Sequence, residues 1–372
     1  MTKLDDSRTK INEIDKQMAK LFEERMIVAK NIAEYKIKNA LPVLDKNREQ
    51  QLIEKNSNYI EDSIIREYYI NFLKNNIELS KKYQSRIMSG IKVAYSGVEG
   101  AFAHIAAKKM FTNAEYISYS DFSKAYKATE NGECDVCILP LENSFAGDVG
   151  HVMDLMFSGS LFVNQVYELE VIHNLLAKKG TNKSNIKTII SHPQALAQCA
   201  EYISKNNFKI LEAQNTAIAA KLVAESNDNS IAAIASSDNA ELYNLDILET
   251  KINTSNNNTT RFGAFSKCLN KTAPSSKSGD HTIIMFTVKN EAGALAETLN
   301  IIGKFNYNMR SLHSRPMKEL IWNYYFYIEL EGNINTKNGE QMLKALEKYC
   351  DKLKIVGNYQ YWLRIKKIYK NN

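Results

Sequence analysis

Residues 4–36 have the sequence LDDSRTKINEIDKQMAKLFEERMIVAKNIAEYK, and this segment decides how the amino-terminal part of the chain folds. Its apolar residues recur with heptad spacing, which predicts a long helix whose apolar seam packs against other helices. Arg25 occupies one of the seam positions, where an apolar residue is expected. The other seam positions form two columns: Leu4, Ile11, Met18 and Ile32 in the column of Arg25, and Ile14, Leu21, Val28 and Tyr35 in the second.

Arg25 therefore places a positive charge in an otherwise apolar seam. Arg8 and Lys36 lie one position beyond the second column, on the flank that borders the same seam. An unpaired buried charge is strongly destabilising, so an anionic group is expected to face these cations. Two candidates remain open from the residues alone: a glutamate of a partner helix, and an anionic ligand.

The composition is that of a globular protein with two or three domains. The chain has 372 residues, of which 44% are hydrophobic and 24% charged, too long for one ordinary core. The net charge of +6 suits anionic small molecules and does not require nucleic acid. Neither a signal core nor a membrane span is recognised, and five scattered cysteines suit a reducing compartment, so a cytoplasmic protein is expected. The histidines show no ligand spacing, and no metal is predicted.

Three segments of different character follow one another. Residues 1–88 predict an all-α domain with helices in residues 4–36, from Asp45, and in residues 63–87. Residues 91–270 alternate short apolar strands with amphipathic helices, which predicts a two-lobed α/β domain with a parallel sheet. After a linker at residues 271–280, residues 281–367 show the βαββαβ order of an α+β ferredoxin-like module. The predicted strands are residues 91–95, 134–139, 188–190, 231–235, 282–288, 309–315, 322–329 and 355–360.

Polar residues also interrupt the apolar stripe of the third predicted helix. Ser80 and Gln84 are four residues apart and therefore share one face. Further polar residues lie at the start of the second helix. Together these positions predict a pocket for a dianion that carries a hydroxyl group; its lining would be Arg8, Arg25, Lys36, Arg48, Glu49 and Gln84.

On these residues, the segment 1–88 resembles the all-helical chorismate mutases. The resemblance implies a dimer of interlocked helices with a shared pocket, to which the partner chain contributes Arg8. It implies that Arg8 and Arg25 hold the two carboxylates of chorismate. The reaction to prephenate is a concerted rearrangement, which needs a preorganised site and no cofactor.

The same resemblance assigns the other pocket residues. Lys36 and Gln84 would donate to the ether oxygen as the carbon–oxygen bond breaks, and are the implied catalytic residues. Glu49 and the backbone near Asp45 would hold the ring hydroxyl. Arg48 and Ser80 would complete the contacts with the substrate.

Three polar clusters stand out in the α/β segment: residues 140–144, 191–194 and 260–262. Each alone is also typical of a solvated turn. Open α/β sheets, however, bind ligands just beyond the carboxyl ends of their parallel strands, where these clusters are expected. Together with residues 97–102 (GVEGAF), the clusters in this order resemble the prephenate dehydratases.

That resemblance implies loss of carboxylate and hydroxide from prephenate, which gives phenylpyruvate, carbon dioxide and water. Thr260, in Thr260-Arg261-Phe262, is the implied donor to the departing hydroxyl, and Arg261 the implied ligand of the retained carboxylate. The remaining implied contacts are Glu142, Asn143, Ser144, Ser191, Gln194, Gln198 and Phe262.

The C-terminal segment resembles an ACT domain, a regulatory module that binds amino acids. The resemblance implies a phenylalanine site formed by two loops, Gly293-Ala294-Leu295 and His313-Ser314-Arg315. The family has glutamate where this chain has His313. Because a protonated imidazole repels an ammonium group, the sequence predicts weaker phenylalanine binding below about pH 6 than at pH 8.

Along nearly its whole length the chain is similar to bifunctional chorismate mutase/prephenate dehydratases. The expected partners are chorismate, prephenate and phenylalanine as effector, with a homodimer or larger homo-oligomer, and without cofactor, nucleic acid or membrane. Two alternatives stay open. One is an enzyme that dehydrates arogenate, and the other is a non-catalytic sensor of aromatic amino acids.

Overall fold

The computed structural model describes residues 2–39, 41–255, 257–269, 280–289, 291–317 and 323–360. The chain forms two compact units: one contains the residues up to Ile91 with Asn113–Glu115, and the other contains the rest of the described chain. Most of the predicted linker, residues 271–279, and the end of the predicted C-terminal module, residues 361–367, lie outside the described residues.

The first unit consists of three helices, as the sequence predicts: α1 (Lys3–Lys38), α2 (Lys46–Ser57) and α3 (Ser63–Ser89). Each begins at a side chain that accepts backbone N–H groups, which is how isolated helix starts are stabilised. Thr2 and Asp5 form a reciprocal capping box at α1. Asp45 caps α2 and Asp62 caps α3.

Most of the apolar seam of α1 is uncovered in a single chain. Its buried residues are Ala29 and Ala33, near the carboxyl end. By contrast Leu4 is 58% exposed and Leu21 63% exposed. A seam of this kind, exposed along the first half of a long helix, needs a partner to cover it.

In the second unit, lobe 1 is built on a sheet with the strand order β5-β11-β3-β1-β2. Strands β1 and β3 are parallel, whereas β11 runs antiparallel to both β3 and β5. The sheet thus contains the predicted parallel pairing, but it is mixed because β11 is antiparallel to its neighbours. The elements of lobe 1 are β1 (Ile91–Ser96), α4 (Phe102–Met110), β2 (Ala114–Tyr119), α5 (Phe122–Asn131), β3 (Val136–Asn143), β4 (Gly147–Asp148), α6 (Gly150–Ser158), β5 (Phe162–Glu170) and β11 (Thr259–Ser266).

Lobe 2 has a five-stranded sheet with the order β10-β6-β9-β7-β8. Residues 171–173 lead from lobe 1 into lobe 2, and residues 250–258 lead back. The lobes also touch through the loop before α4, where Asn239 donates to the carbonyl of Gly100 at 3.1 Å. The elements of lobe 2 are β6 (Asn174–Lys178), a 3₁₀ turn (Lys183–Asn185), β7 (Thr188–Ser191), α7 (Pro193–Gln198), α8 (Ala200–Lys205), β8 (Lys209–Glu212), α9 (Thr216–Glu225), β9 (Ile231–Ala235), α10 (Ser237–Leu242) and β10 (Leu245–Glu249).

Strand β3 runs to Asn143, although the sequence predicts that it ends at Leu139. Pro140 interrupts most strands because it lacks the N–H group that a ladder needs. Here the register between β11 and β3 shifts between Arg261 and Phe262, next to the partner Pro140. The bulge accommodates the proline, so Glu142 and Asn143 belong to a strand and not to a loop.

The C-terminal module has the predicted βαββαβ order. Its four strands form an antiparallel sheet with the order β13-β14-β12-β15. The elements are β12 (Asp280–Val288), α11 (Ala294–Lys304), β13 (Asn308–Pro316), β14 (Tyr324–Glu331), α12 (Lys337–Leu346) and β15 (Cys350–Gln360).

This module and lobe 1 share one continuous sheet and one core. Gly357 of β15 pairs with Val163 of β5, and a β-carbon at Gly357 would lie only 2.4 Å from the carbonyl oxygen of Val163. Only glycine permits that approach. Side chains of both parts, such as Phe265 of β11 and Tyr359 of β15, are buried in the same apolar cluster.

None of the helices in the described part of the chain combines the length and the hydropathy that a membrane span requires.

Candidate active sites

Arg25 lies against α3 and contacts Ser80, one of the predicted pocket residues. Its Nη1 atom donates to the hydroxyl of Ser80 and, at 3.1 Å, to the carbonyl oxygen of Asn76. Both partners are neutral, and burial lowers the pKa of Arg25 from its ordinary value. Among the described residues no carboxylate is paired with this cation, which is therefore partly desolvated beside neutral groups, the setting expected for an anion site.

Ser80 and Gln84 lie on the buried face of α3, as predicted. The Oε1 atom of Gln84 is buried and has no hydrogen-bond partner within the described residues. The two ends of an amide have nearly the same shape, so this side chain can also present its N–H₂ group. Gln84 is therefore available to a ligand.

Two other predicted pocket residues contact neighbours within the same unit. Lys36 donates to the carbonyl oxygen of Val43 at 2.7 Å. Glu49 accepts from Lys81 at 3.3 Å, and hydrogen bonding to Glu78 and Glu49 raises the pKa of Lys81. The sequence analysis missed Lys81 because a charged residue three positions from Glu78 is typical of a solvated helix face.

The remaining predicted residues are less enclosed. Asp45 caps α2 by accepting from the N–H of Arg48 at 3.0 Å, and Arg48 is exposed. Arg8 is exposed near the start of α1. Arg8 and Arg25 are seventeen residues apart on one helix, a separation of about 25 Å at 1.5 Å per residue. One chain therefore cannot bring both arginines to a single small ligand.

The second candidate site lies where β3 ends and β11 begins. Thr260 pairs with Asn143, and Arg261 pairs with Glu142. Because successive residues of a strand point to opposite faces, the sheet divides the predicted residues into two pairs. Thr260 and Asn143 share one face, and Arg261 and Glu142 share the other.

Hydrogen bonds hold the Asn143 amide in one orientation. Its Oδ1 atom accepts from the backbone N–H groups of Phe145 and Ala146, at 3.0 and 2.9 Å. Its Nδ2 atom must then face Thr260, to whose Oγ1 atom it donates at 2.9 Å. Since the threonine oxygen accepts this bond, its own proton is left to donate elsewhere. The arrangement leaves the Thr260 hydroxyl able to donate a hydrogen bond to a ligand.

Asn258 belongs to the same cluster, although the sequence analysis did not select it. Its Oδ1 atom accepts from Asn143 Nδ2 at 3.0 Å. Its Nδ2 atom is buried and lacks a hydrogen-bond partner in the described part of the chain. The spacing of two residues between Asn258 and Thr260, which puts both on one face of an extended chain, is the signal that could have identified it.

The orientation of Asn143 yields a first prediction. In Asn143→Asp, a carboxylate of the same shape accepts the proton of Thr260 instead of donating to its oxygen, so the hydroxyl no longer points to a leaving group. For the prephenate dehydratase activity that the resemblance implies, we expect the turnover to fall about a hundredfold, the lower range for loss of a proton donor. Steady-state kinetics with prephenate measures this, with the turnover of the helical unit on the same sample as control. Unchanged dehydration would mean that Asn143 does not orient Thr260.

Ser191, Gln194 and Gln198 lie at the carboxyl end of β7 and in α7 of lobe 2. The hydroxyl of Ser191 is buried and donates to the carbonyl oxygen of Ile234 at 2.6 Å. Gln194 is exposed. The Oε1 atom of Gln198 accepts from His173 Nε2 at 2.9 Å, and the Nε2 atom of Gln198 is buried without a partner in the described chain. The Nε2 atom of Gln198 is thus still available to a ligand.

His173 is a second residue that the sequence did not single out. It lies in the first connection between the lobes and is almost completely buried. Burial lowers the pKa of His173, so the ring is neutral at physiological pH. A neutral ring that bonds Gln198 holds that amide in place. Nothing in the sequence around His173 distinguishes it from a core histidine.

Two other residues that are predicted to contact the substrate, Ser144 and Phe262, have structural roles in the fold. Ser144 donates to the carbonyl oxygen of Asn257 at 2.7 Å and accepts from the N–H of Thr259 at 2.9 Å, which closes the turn after β3. Phe262 is buried within the sheet. Their direct contact with substrate stays a prediction.

In the C-terminal module, strand alternation separates the residues of the second predicted effector loop. Ser314 is exposed on β13, at the edge of the sheet. His313 and Arg315 point the other way, toward lobe 1. His313 Nδ1 lies 2.7 Å from a carboxylate oxygen of Asp148, and Arg315 Nε donates to Asp154 at 3.1 Å. His313 therefore does not project with Ser314, and its place beside a bound ammonium group stays a prediction.

The first predicted effector loop is accessible. Gly293 has φ +88° at the start of α11, a left-handed conformation that favours glycine, and is exposed. Ala294 and Leu295 are half-buried. The loop therefore remains open to a ligand or to a second copy of the module.

Comparison with known proteins identifies all three parts. The family model for chorismate mutase type II matches residues 7–85, that for prephenate dehydratase residues 93–268, and that for the ACT domain residues 282–351. The bifunctional chorismate mutase/prephenate dehydratase of Aquifex aeolicus is 31% identical over 366 residues, which cover 96% of this chain and 98% of that protein.

Solved structures agree with the fold of the second unit. The structure titled "GqqA- a novel type of quorum quenching acylases" is 27% identical and covers 73% of this chain and 98% of its own, with a TM-score of 0.67. A prephenate dehydratase of Arthrobacter aurescens, solved in complex with L-Phe, is 24% identical and covers 73% of this chain and 90% of its own, with a TM-score of 0.66. Given the three domains in this order and a relative matched along its full length, the chain belongs to the family of bifunctional chorismate mutase/prephenate dehydratases, which combine an isomerase and a carbon–oxygen lyase.

Proposed function

We propose that the helical unit converts chorismate to prephenate and that the two-lobed α/β domain converts prephenate to phenylpyruvate, carbon dioxide and water. The observation that carries the second assignment is the bond from Asn143 to Thr260, which leaves a hydroxyl proton free to act on a leaving group. The first rests on Arg25, a partly buried cation with neutral partners beside Ser80.

For the mutase reaction, the pocket holds the reactive conformer and stabilises the charge that grows on the ether oxygen. Arg25 and the partner's Arg8 bind the carboxylates, while Lys36 and Gln84 donate to the ether oxygen. One preorganised donor contributes roughly 3 kcal/mol. Two donors together with selection of the conformer supply the ~8 kcal/mol that corresponds to a millionfold acceleration.

For the dehydratase reaction, the carboxylate leaves as carbon dioxide and its bonding electrons enter the ring. The ring becomes aromatic as the hydroxyl at the opposite carbon departs, and that hydroxyl takes up a proton to leave as water. Thr260 donates to it, with Asn143 holding the threonine oxygen. Polar residues of lobe 2, in particular Gln198, orient the substrate between the two lobes.

We propose that the mutase pocket is completed by a second copy of the chain. The support is the exposed seam of α1 and the distance of about 25 Å between Arg8 and Arg25. In a homodimer with interlocked α1 helices, the seam is buried and Arg8 of one chain reaches the Arg25 of the other. A partner-helix glutamate opposite Arg25 is the structural alternative.

Subunit complementation tests this dimer. Arg8→Ala and Arg25→Ala should each lack mutase activity as homodimers. When the two variants are mixed, unfolded and refolded, half of the dimers are mixed, and one of the two pockets in each has both arginines. We expect recovery of about a quarter of the wild-type mutase turnover, the statistical value for a shared site. No recovery would place both arginines in one chain's pocket or outside it.

We propose that phenylalanine binds the C-terminal module and inhibits the dehydratase, with Gly293 and Ser314 in the site. Since His313 faces Asp148, we now expect His313→Ala to change the affinity for L-phenylalanine less than threefold, in contrast to the pH effect expected from the sequence. Titration calorimetry of the full chain measures this, with D-phenylalanine as control. A tenfold or greater loss of affinity for L-phenylalanine would show that His313 belongs to the effector site.

The decisive experiment on function is incubation of the pure chain with chorismate, prephenate and arogenate in turn. We expect chorismate to give prephenate and prephenate to give phenylpyruvate. We also expect kcat/KM to be higher for prephenate than for arogenate. If kcat/KM were instead higher for arogenate, which would be converted to phenylalanine, arogenate would be the preferred substrate. Binding without turnover of any of the three compounds would identify a sensor. The cytoplasmic location remains a prediction from the cysteine content.

A further inference from the structure

The loop before α4, residues 97–102, is held to lobe 1 by a buried histidine. Gly100 donates its backbone N–H to the Nδ1 atom of His104 at 3.1 Å. Burial lowers the pKa of His104, so the ring is neutral and its Nδ1 atom can accept this bond. The same ring packs against that of Tyr95 in β1, with the ring centroids 4.8 Å apart. The loop is therefore structurally part of lobe 1.

The carbonyl group of Gly100 faces the other way and contacts α10 of lobe 2. Its oxygen accepts from Asn239 Nδ2 at 3.1 Å, and the same nitrogen donates to the hydroxyl of Ser236 at 2.9 Å. Because a carbonyl oxygen only accepts hydrogen bonds, the contact fixes which end of the amide is the nitrogen. Asn239 is 0% exposed, so water does not compete for this bond.

The contact requires glycine at position 100. Gly100 has φ +85°, in the left-handed region that favours glycine. A β-carbon at this position would lie only 2.2 Å from the Oδ1 atom of Asn239 and 3.1 Å from the Leu242 side chain. Any other residue at position 100 would therefore force α10 away from the loop, and the lobes could not meet as they do here.

The loop also supports a candidate substrate residue. Phe102, two residues beyond Gly100, meets the ring of His173 edge-on, with the ring centroids 5.8 Å apart. His173 in turn bonds the Oε1 atom of Gln198, whose Nε2 atom is available to a ligand. The bond from Asn239 thus holds the loop whose next aromatic residue packs against the partner of Gln198.

The candidate substrate residues are divided between the lobes, so their separation depends on how the lobes are held. Thr260 lies in β11 of lobe 1, and Gln198 lies in α7 of lobe 2. Two segments of chain join the lobes, and the bond between Asn239 and Gly100 adds a non-covalent link. A ligand that binds both lobes binds best when they are already at the right distance.

We propose that Asn239 is a positioning residue for the dehydratase, which binds Gly100 and thereby keeps Gln198 at the distance from Thr260 that prephenate requires. The inference rests on the proposed dehydratase function. When the link is lost, a smaller fraction of the free enzyme is competent to bind, so KM rises. Bound substrate contacts both lobes and holds them together, so kcat at saturation is nearly preserved.

Gly100→Ala breaks the link by overlap, and Gly180→Ala is its matched control. Gly180 has φ +77°, and a β-carbon there would have no neighbour within 4 Å. Both variants place alanine in a left-handed conformation, but only the first meets Asn239. We expect KM for prephenate to rise at least about tenfold in Gly100→Ala and less than about twofold in Gly180→Ala, with kcat within about twofold of the wild type in both. Equal KM values in the two variants would overturn the proposal.

Asn239→Ala removes the donor itself, with Glu241→Ala, an exposed position of the same helix, as control. We expect KM to rise at least about threefold in Asn239→Ala, as for the loss of one buried hydrogen bond, and to stay unchanged in the control. A lower kcat at unchanged KM would indicate only a structural role and would overturn the proposal.

The double variant Gly100→Ala/Asn239→Ala tests whether the two residues act through each other. Alanine at position 239 has no oxygen to overlap the new methyl group. The double variant should therefore have a KM at least about threefold lower than that of Gly100→Ala alone. Effects that multiply, as they do for independent sites, would contradict a direct link between Asn239 and Gly100.

Hydrogen exchange tests the link without turnover. The backbone amides of residues 101–105 and 239–243 should exchange at least about fivefold faster in Gly100→Ala than in the wild type or in Gly180→Ala. Wild-type exchange in strands β3 and β9 of the same sample would show that both lobes are folded. Unchanged exchange at the two segments would rule the link out. A wild-type chain that fails to dehydrate prephenate would instead overturn the proposed function, while the exchange measurement still decides whether Asn239 holds the loop.

Discussion

Thr260→Ala should reduce the dehydratase turnover by at least about a hundredfold and leave the mutase turnover of the same sample unchanged. The substitution removes the hydroxyl that Asn143 orients at 2.9 Å, and a positioned proton donor contributes roughly 100-fold to 10,000-fold. The substitution also removes the γ-methyl group of Thr260, but it keeps the backbone pairing of β11 with β3 and β5. Prephenate consumption, followed as phenylpyruvate formation, measures the loss.

Thr260→Ser is the matched control for this prediction. Serine retains a hydroxyl within reach of Asn143 Nδ2, so this variant should remain within about tenfold of the wild type. A Thr260→Ala enzyme with near-normal turnover would remove Thr260 from catalysis. Glu142 would not replace it without a change of fold, because the sheet places it on the face of Arg261.

Arg25→Ala should abolish chorismate consumption, with a loss of at least about a hundredfold, while dehydration of supplied prephenate continues. A charged hydrogen-bonding group removed from a bound anion typically costs about 2–5 kcal/mol. Chorismate disappearance measures the first activity and phenylpyruvate formation from prephenate the second. Lys30→Ala, which removes an exposed cation of the same helix, should leave both activities unchanged.

Thermal unfolding of the same variant separates a binding role from a structural one. In the absence of ligand Arg25 is a partly desolvated cation with neutral partners, and the carbonyl oxygen of Asn76 still accepts from Ser80 when Arg25 is removed. Arg25→Ala should therefore leave Tm unchanged or raise it. If Tm falls by several degrees while chorismate turnover is retained, Arg25 is a structural residue and the assignment of the helical unit is wrong.

Much of the fold was accessible from local patterns. The three helices, the βαββαβ module and strands such as β9 follow from periodicity and capping residues, which are properties of neighbouring positions. The local pattern of the sequence predicts that β3 ends at Leu139, just before Pro140. It could not anticipate the compensating register shift, because that shift depends on β11, which is more than a hundred residues away in the chain.

Some residues of the candidate sites could likewise be predicted from local patterns, and others could not. Ser80 and Gln84 were expected on one face of α3, and the structure places both on its buried face with Arg25 against Ser80. His173 and Asn258 were missed, because an isolated histidine or asparagine carries no pattern. Their significance depends on buried hydrogen-bonding atoms whose partners come from other elements.

The sequence by itself determined the kinds of residues that each domain has available and which of them share a helix face or a strand face. It also determined that the apolar seam of α1 contains a charge and must pack against another surface. Only the tertiary structure decided which face of β11 meets Asn143 and which meets Glu142, and that His313 turns to Asp148. The physical reason is that alternation along a strand is a local rule, whereas the partner on each face is set by strand pairing and domain packing across long separations in the chain.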